Sequence, residues 1–222
     1  MLSSEEIRAN LERVNASIDA ACRRAGRKRQ EVTLVAVSKT FPAEAVELAI
    51  RAGATHVGEN RVQEAREKKP LVRGVARWHL IGHLQSNKAK EAVALFDMIE
   101  TVDSIDLAEK IARAAEAAGK RQEILLQVNI GREPQKSGAD PEDAARLVAD
   151  IGKMAPLSLR GLMAIPPLGD SRPHFRAMRE LRERIGTEHL SMGMSADYEA
   201  AIEEGATIVR VGSAIFGERT AH

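Results

Sequence analysis

Short apolar segments alternate with helical patterns along most of this chain, and that alternation limits the possible folds more than any other feature. Eight segments rich in apolar and β-branched residues predict strands; they begin at Val32, Thr55, Ala76, Phe96, Glu123, Leu157, His189 and Thr207. Helical patterns such as SIDLAEKIARAAEAAG separate them. Strands that alternate with helices form parallel sheets, so eight units predict an α/β fold, a single (β/α)8 TIM-type barrel. An open doubly wound sheet is the alternative, although no glycine-rich dinucleotide motif follows the first strand.

An extra helix is predicted before the first strand. Ser3 or Ser4 is placed to cap it, with Glu6 as the capping-box partner of Ser3. No linker or repeat divides the sequence, so we expect one domain over residues 1–222, in which residues 1–28 form a helix that packs on the barrel. The apolar stripe of this helix recurs at spacings of three and four residues and consists of Ile7, Leu11, Val14 and Ile18.

Composition excludes several classes of function. The 33 Lys and Arg residues balance 32 Asp and Glu residues, which argues against a general nucleic-acid binder and gives no reason to expect a membrane partner. The single cysteine, Cys22, rules out an intrachain disulfide and a cysteine-rich metal site. The N-terminus is polar and charged, and no apolar run approaches the ~20 residues of a membrane span. We therefore expect a cytoplasmic protein.

Lys39 ends the first predicted strand and shares a face with Val35 and Val37. A charged ammonium among buried apolar residues is costly, which favours the neutral amine that acts as a Schiff-base nucleophile. Alternatively, the strand has already ended at Lys39 and its ammonium simply reaches water. Position alone leaves both interpretations open.

Arg210 lies inside TIVRVG, in the last predicted strand. Its guanidinium cannot lose its charge and needs an acceptor, which is either a structural carboxylate or a ligand. Two adjacent segments predict an anion site, since barrels often bind phosphate with the loops after strands seven and eight. In these segments Ser195 follows Gly193 ahead of a helix, and Ser213 follows Gly212. For Ser195, an ordinary helix cap is the alternative.

His79 and His83 are four residues apart, a spacing that would form a metal pair on a helix. The segment WHLIGHL instead resembles a strand that enters a turn, and no third ligand stands out, so we expect these histidines to pack or to line a site. Asn60 is placed either to cap the next helix, with Gln63 as its partner, or to face the pocket.

Several ordered motifs together resemble one known family, the pyridoxal-phosphate homeostasis proteins, also called the proline-synthetase co-transcribed family. The resemblance runs nearly end to end and rests on AVSKTFPAE, HVGENRVQEAREK, WHLIGHLQSNK, VNIGREPQKSG, GLMAIPP, SMGMSADYEAAI and VRVGSAIFG. It implies a single barrel related to the cofactor-binding domain of alanine racemase.

The resemblance also implies a cofactor and its ligands. Lys39 would form the covalent link to pyridoxal 5'-phosphate, and Arg210 would face the pyridine nitrogen. The residues implied to hold the phosphate are Ser195, Gly212 and Ser213. The residues implied to line the ring or its surroundings are Asn60, Met192 and His83.

Family members are regarded as binders that buffer or deliver the cofactor and maintain vitamin B6, amino-acid and keto-acid balance. The resemblance thus implies a monomeric carrier without robust catalysis. Its contacts with the apoenzymes that need the cofactor are expected to be transient. An arginine at the ring nitrogen fits this, because it weakens the ring as an electron sink. The alternatives are an amino-acid racemase that uses the same cofactor and a cofactor-free Schiff-base aldolase. For racemisation, the tyrosine that alanine racemases draw from a separate β-domain has no expected counterpart here.

Overall fold

A computed structural model of the chain describes residues 2–218, and in this range eight parallel strands close into one barrel. The strands are β1 (Thr33–Val37), β2 (His56–Glu59), β3 (Arg77–Leu80), β4 (Met98–Val102), β5 (Gln122–Gln127), β6 (Leu157–Met163), β7 (His189–Ser191) and β8 (Ile208–Val211). The helices are α1 (Ser4–Arg24), α2 (Ala43–Arg51), α3 (Val62–Lys68), α4 (Ala89–Leu95), α5 (Ile105–Ala117), α6 (Ala144–Ile151), α7 (Arg172–Ile185), α8 (Tyr198–Glu203) and α9 (Ser213–Phe216).

Closure of the sheet comes from pairing between the first and last strands. Val35 of β1 lies opposite Arg210 of β8, and each other strand pairs in parallel with the next one along the chain. The predicted barrel is therefore confirmed, and the open doubly wound sheet is wrong. Because all strands run the same way, their carboxyl ends meet at one rim of the barrel.

The N-terminal helix forms as predicted. Ser3 accepts a hydrogen bond from the Glu6 backbone N–H, and the Glu6 carboxylate accepts one from the Ser3 backbone, which completes the capping box. The whole predicted apolar stripe is buried, and α1 packs against α2, α8 and α9. Arg24 adds ion pairs to Glu199 and Glu203 of α8.

Two local features decide how the chain leaves the barrel rim. β8 ends at Val211, so Gly212 and Ser213 follow the strand as predicted, and Ser213–Phe216 forms the short helix α9. Of the two placements considered for Asn60, the cap of α3 is wrong, because the N-cap of α3 is Arg61 and its first turn lacks a side-chain cap bond.

Alternation along the strands separates two apolar clusters. The larger one fills the layer between the strands and the helices, whereas the smaller one lies inside the barrel and consists of Val35, Met98, Leu125, Met163 and Ile208. Within residues 2–218, no helix is both long enough and apolar enough to cross a membrane.

Candidate functional site

Lys39 lies in a tight turn at the carboxyl end of β1. The strand ends two residues earlier, at Val37, and the lysine is half-buried. The Phe41 N–H donates to the Ser38 carbonyl at 3.0 Å, which closes the turn around it. Thr40 adopts a φ of 70°, a left-handed conformation uncommon for a β-branched residue, and its N–H donates to Glu64 Oε2 at 3.0 Å. The turn that presents Lys39 is thus held by contacts on both sides.

A buried ion pair lies beneath this turn, between the barrel and α3. Lys68 Nζ donates to Glu59 Oε1 at 2.5 Å and to the Ser38 carbonyl at 2.9 Å, while the Ser38 hydroxyl donates to the same carboxylate oxygen at 2.6 Å. Glu59 is fully buried, and burial raises the pKa of its carboxyl although Lys68 opposes the rise. Sequence reasoning missed this pair. The available signal was Lys68 itself, which continues the buried positions of α3 at a spacing of three.

Arg210 enters the barrel interior from β8. Its Nη1 donates to the Ser191 hydroxyl at 2.6 Å and lies 3.8 Å from Glu100 Oε2, and its Nη2 donates to the carbonyl of Ala164 at 2.9 Å. These two bonds use two of the five N–H donors that a guanidinium carries. Glu100 is therefore the structural carboxylate that the sequence allowed as a partner of Arg210. The remaining N–H donors of Arg210 are available for a ligand.

Glu100 connects Arg210 to two histidines. Its Oε2 accepts from the Ser191 hydroxyl at 2.6 Å, and its Oε1 lies 2.7 Å from His79 Nδ1. His79 Nε2 in turn lies 2.8 Å from His56 Nδ1. Burial favours a raised pKa for the Glu100 carboxyl, but His79, Arg210 and Ser191 outweigh it and lower that pKa. These residues, His56, His79, Glu100, Ser191 and Arg210, form what we call the interior polar chain.

His56 is the outer member of this chain. Burial, followed by the charge of His79, lowers the pKa of His56 to about 4, so its ring is neutral at pH 7. His79 makes both of its contacts within the interior polar chain, to Glu100 and to His56. In the described part of the protein, no three metal-ligating side chains come together in one place. The spacing of His79 and His83 thus reflects a strand and its following turn.

The predicted anion segments meet beside the end of β8. The Gly212 N–H donates to the Ser195 hydroxyl oxygen at 3.1 Å, which joins the two loops. Ser195 is not a helix cap, because the N-cap of α8 is Asp197. Gly193 has a φ of 90°, and a Cβ built on it would lie 2.5 Å from the Ala201 side chain, so glycine is required where α8 packs against the loop. Ser213 is exposed as the first residue of α9.

The other predicted site residues have different surroundings. Asn60 is half-buried and lies with exposed His83 on one surface cavity of about 460 Å³. The His83 ring also lies 3.2 Å from the Ser137 hydroxyl. Met192 is fully buried in the outer apolar cluster, and its place beside the ring stays a prediction. Since Ser191 faces the interior, alternation turns the next side chain outward.

Strand pairing brings the central residues to one part of the rim. β1 and β8 are neighbours: Val35 pairs with Arg210, Lys39 follows Val35 beyond the end of β1, and a Cβ on Gly212 would lie 3.1 Å from the carbonyl of Val37. An amine, a guanidinium, two hydroxyls and a backbone N–H thus gather near the ends of β1, β7 and β8. This set of donors suits an anionic ligand that carries a group reactive toward amines.

Known proteins share both the sequence and the fold. A family model described as "Alanine racemase, N-terminal domain" matches residues 6–220. A pyridoxal phosphate homeostasis protein of Aquifex aeolicus is 41% identical over 220 residues, 94% of this chain and 96% of the relative. An unknown protein from Bifidobacterium adolescentis has a TM-score of 0.88 at 39% identity, with 97% of both chains covered. PipY of Synechococcus elongatus, with PLP bound, has a TM-score of 0.78 at 39% identity, covering 91% of this chain and 100% of PipY.

Proposed function

The chain belongs to the family of pyridoxal phosphate homeostasis proteins, which share the N-terminal barrel of alanine racemase, and from this premise we propose that it binds pyridoxal 5'-phosphate and buffers or delivers it to maintain vitamin B6 and amino-acid balance. The single observation that carries the proposal is that β1, which leads into Lys39, pairs with β8, which carries Arg210, at the rim where Gly212 contacts Ser195. The relative whose structure holds PLP supports the choice of ligand.

The residues at the rim fit the chemistry of this cofactor. When bound, the cofactor supplies an aldehyde that condenses with an amine and releases one water. Lys39 offers that amine on a turn fixed by Phe41 and Glu64. Ser195 and Ser213 would donate to the phosphate, since hydroxyls bind anions through charge-assisted hydrogen bonds, and Gly212 would hold the Ser195 hydroxyl beside it through the bond from its N–H.

Arg210 would donate to the pyridine nitrogen with an N–H that its own contacts leave available. A guanidinium gives a hydrogen bond without giving up its proton, so it favours an unprotonated ring nitrogen. Such a ring withdraws electrons weakly and is a poor electron sink. Asn60 would bound the ring on the β2 side, and His83 would lie at the edge of the site.

We propose that the protein lacks robust catalysis. Racemisation requires an acid–base group on each face of the reacting carbon. In the described part of the chain, Tyr198 is buried in α8, Cys22 is buried in α1, and His79 is engaged by Glu100 and His56. These placements support a carrier, which we propose acts as a monomer and meets apoenzymes transiently.

A binding and exchange experiment tests this function. The purified protein should bind pyridoxal 5'-phosphate with a visible absorbance band, release it to an apoenzyme that uses this cofactor, and leave L-alanine unexchanged in deuterated water. The cofactor-free aldolase would bind without such a band. A racemase, the alternative suggested by the matched alanine racemase family model, would exchange the α-hydrogen and form D-alanine. Binding without a visible band, or exchange of the α-hydrogen, would overturn the carrier function.

A further inference from the structure

The interior polar chain replaces the apolar packing that usually fills a barrel of this type. Barrel interiors are built mainly from apolar side chains, and here the smaller apolar cluster, which includes Val35, Met98 and Ile208, fills only part of the interior. Beside it, Glu100 is fully buried and Arg210 is 3% exposed. Buried ion pairs contribute little net stability, because removing both charges from water offsets their attraction. Stability alone therefore does not explain the interior polar chain, and a functional role is indicated.

The contacts of Arg210 fix its head group from behind. Ser191 accepts from Nη1, the carbonyl of Ala164 accepts from Nη2, and Glu100 lies 3.8 Å from Nη1 while it also accepts from Ser191. The guanidinium is thus held by acceptors on β7 and β4 and by the residue that follows β6. Without them a long, flexible arginine would lose side-chain entropy on meeting a ligand.

Resting on the proposed function, we infer that Glu100 is a positioning residue that aims Arg210 at the cofactor ring and balances its charge. Glu100 does not touch the cofactor in this account; it acts through Arg210. Its ionised carboxylate makes the pair neutral as a whole, so that Arg210 presents a directed N–H donor with little net charge. His79 holds the other carboxylate oxygen and prevents Glu100 from rotating.

The charged and titratable groups around Glu100 come from four strands. His79 lies on β3, His56 behind it on β2, His189 on β7 and Arg210 on β8. Burial lowers the pKa of His189 and of His56. Both lowered pKa values favour the neutral rings, whereas Arg210 is a permanent cation beside Glu100.

Changing Glu100 to glutamine separates charge balance from shape. Glu100→Gln keeps an oxygen that can accept from Ser191 but removes the negative charge. The unbalanced guanidinium should then disfavour protonation of the bound cofactor. We expect the pH midpoint of the visible absorbance change to move to lower pH and the Kd for pyridoxal 5'-phosphate to rise at least fivefold. Ser191→Ala, which breaks the link but keeps the charges, should raise the Kd at least twofold.

Glu204→Gln is the matched control. Glu204 is 5% exposed and pairs with Arg172 and Arg179 between α7 and α8, and it contacts neither Glu100 nor Arg210. It should weaken resistance to urea but leave the Kd and the pH midpoint at wild-type values. An unchanged midpoint in Glu100→Gln, or an equal shift in Glu204→Gln, would overturn the inference. If Glu100→Gln does not fold, an unchanged Kd in Ser191→Ala overturns it. Absence of binding by the wild-type protein would instead defeat the proposed function itself.

Discussion

Replacing Lys68 with methionine tests the buried pair that supports the Lys39 turn. Lys68 Nζ makes two hydrogen bonds, at 2.5 Å to Glu59 and at 2.9 Å to the Ser38 carbonyl. A hydrogen bond to a charged group contributes about 1.5–3 kcal/mol, and methionine fills a similar space without donating. Because Glu59 would stay fully buried with the Ser38 hydroxyl as its donor, we expect a loss of about 3–5 kcal/mol in the free energy of unfolding at pH 8.

The loss should depend on pH in a defined direction. Burial already raises the pKa of Glu59, and removal of Lys68 should raise this pKa further. A carboxyl whose folded-state pKa is raised contributes stability below its unfolded pKa and loses that contribution as pH rises through the folded pKa. Lys68→Met should therefore be closer to the wild type at pH 5 than at pH 8.

Urea denaturation of the cofactor-free protein at both pH values measures the effect. The set is the wild type, Lys68→Met, Glu59→Gln and the double variant, which removes both charges and should recover at least half of the loss. Lys153→Met, in an exposed pair with Asp150, is the control and should leave the unfolding free energy unchanged. An equal loss at pH 5 and pH 8, or simple additivity in the double variant, would refute the reasoning.

Three further predictions concern the rim and the interior. Changing both Ser195 and Ser213 to alanine should weaken pyridoxal 5'-phosphate at least tenfold more than unphosphorylated pyridoxal in binding titrations, and equal losses would show that the phosphate lies elsewhere. Gly193→Ala should cost more unfolding free energy than Gly26→Ala, because both have positive φ but a Cβ at Gly26 meets open space. Because the pKa of His56 is lowered to about 4, the free energy of unfolding should fall by about 2 kcal/mol between pH 6.5 and 4, after allowance for screening of the partly exposed ring. Urea unfolding across this pH range should show that His56→Asn removes this loss of stability.

The sequence predicts the barrel well because alternation is a local property. Each strand and helix leaves a periodic pattern, and eight such units in order leave few topologies. The N-terminal cap at Ser3 is equally local, since its partner is three residues away. At the rim the pattern continues while the backbone turns, so β1, predicted to end at Lys39, ends at Val37.

The interior polar chain illustrates what the sequence hides. Periodicity indicates that Arg210 shares a face with Ile208, but not that Glu100, 110 residues earlier, lies on the same level of the barrel. That juxtaposition depends on register across several strands, which only the folded structure fixes. For the same reason, the sequence alone does not decide whether a carboxylate or a ligand partners Arg210. It also does not predict the ion pair between Glu59 and Lys68.

The central claim is that Lys39 carries pyridoxal 5'-phosphate, and reductive trapping tests it most directly. The protein loaded with the cofactor is treated with borohydride, digested and mapped by mass spectrometry, beside Lys39→Ala treated in the same way. We predict a pyridoxyl group on Lys39 in stoichiometric amount and loss of the visible band in Lys39→Ala. A pyridoxyl group found mainly on Lys136 or Lys88, with the band retained in Lys39→Ala, would contradict the account.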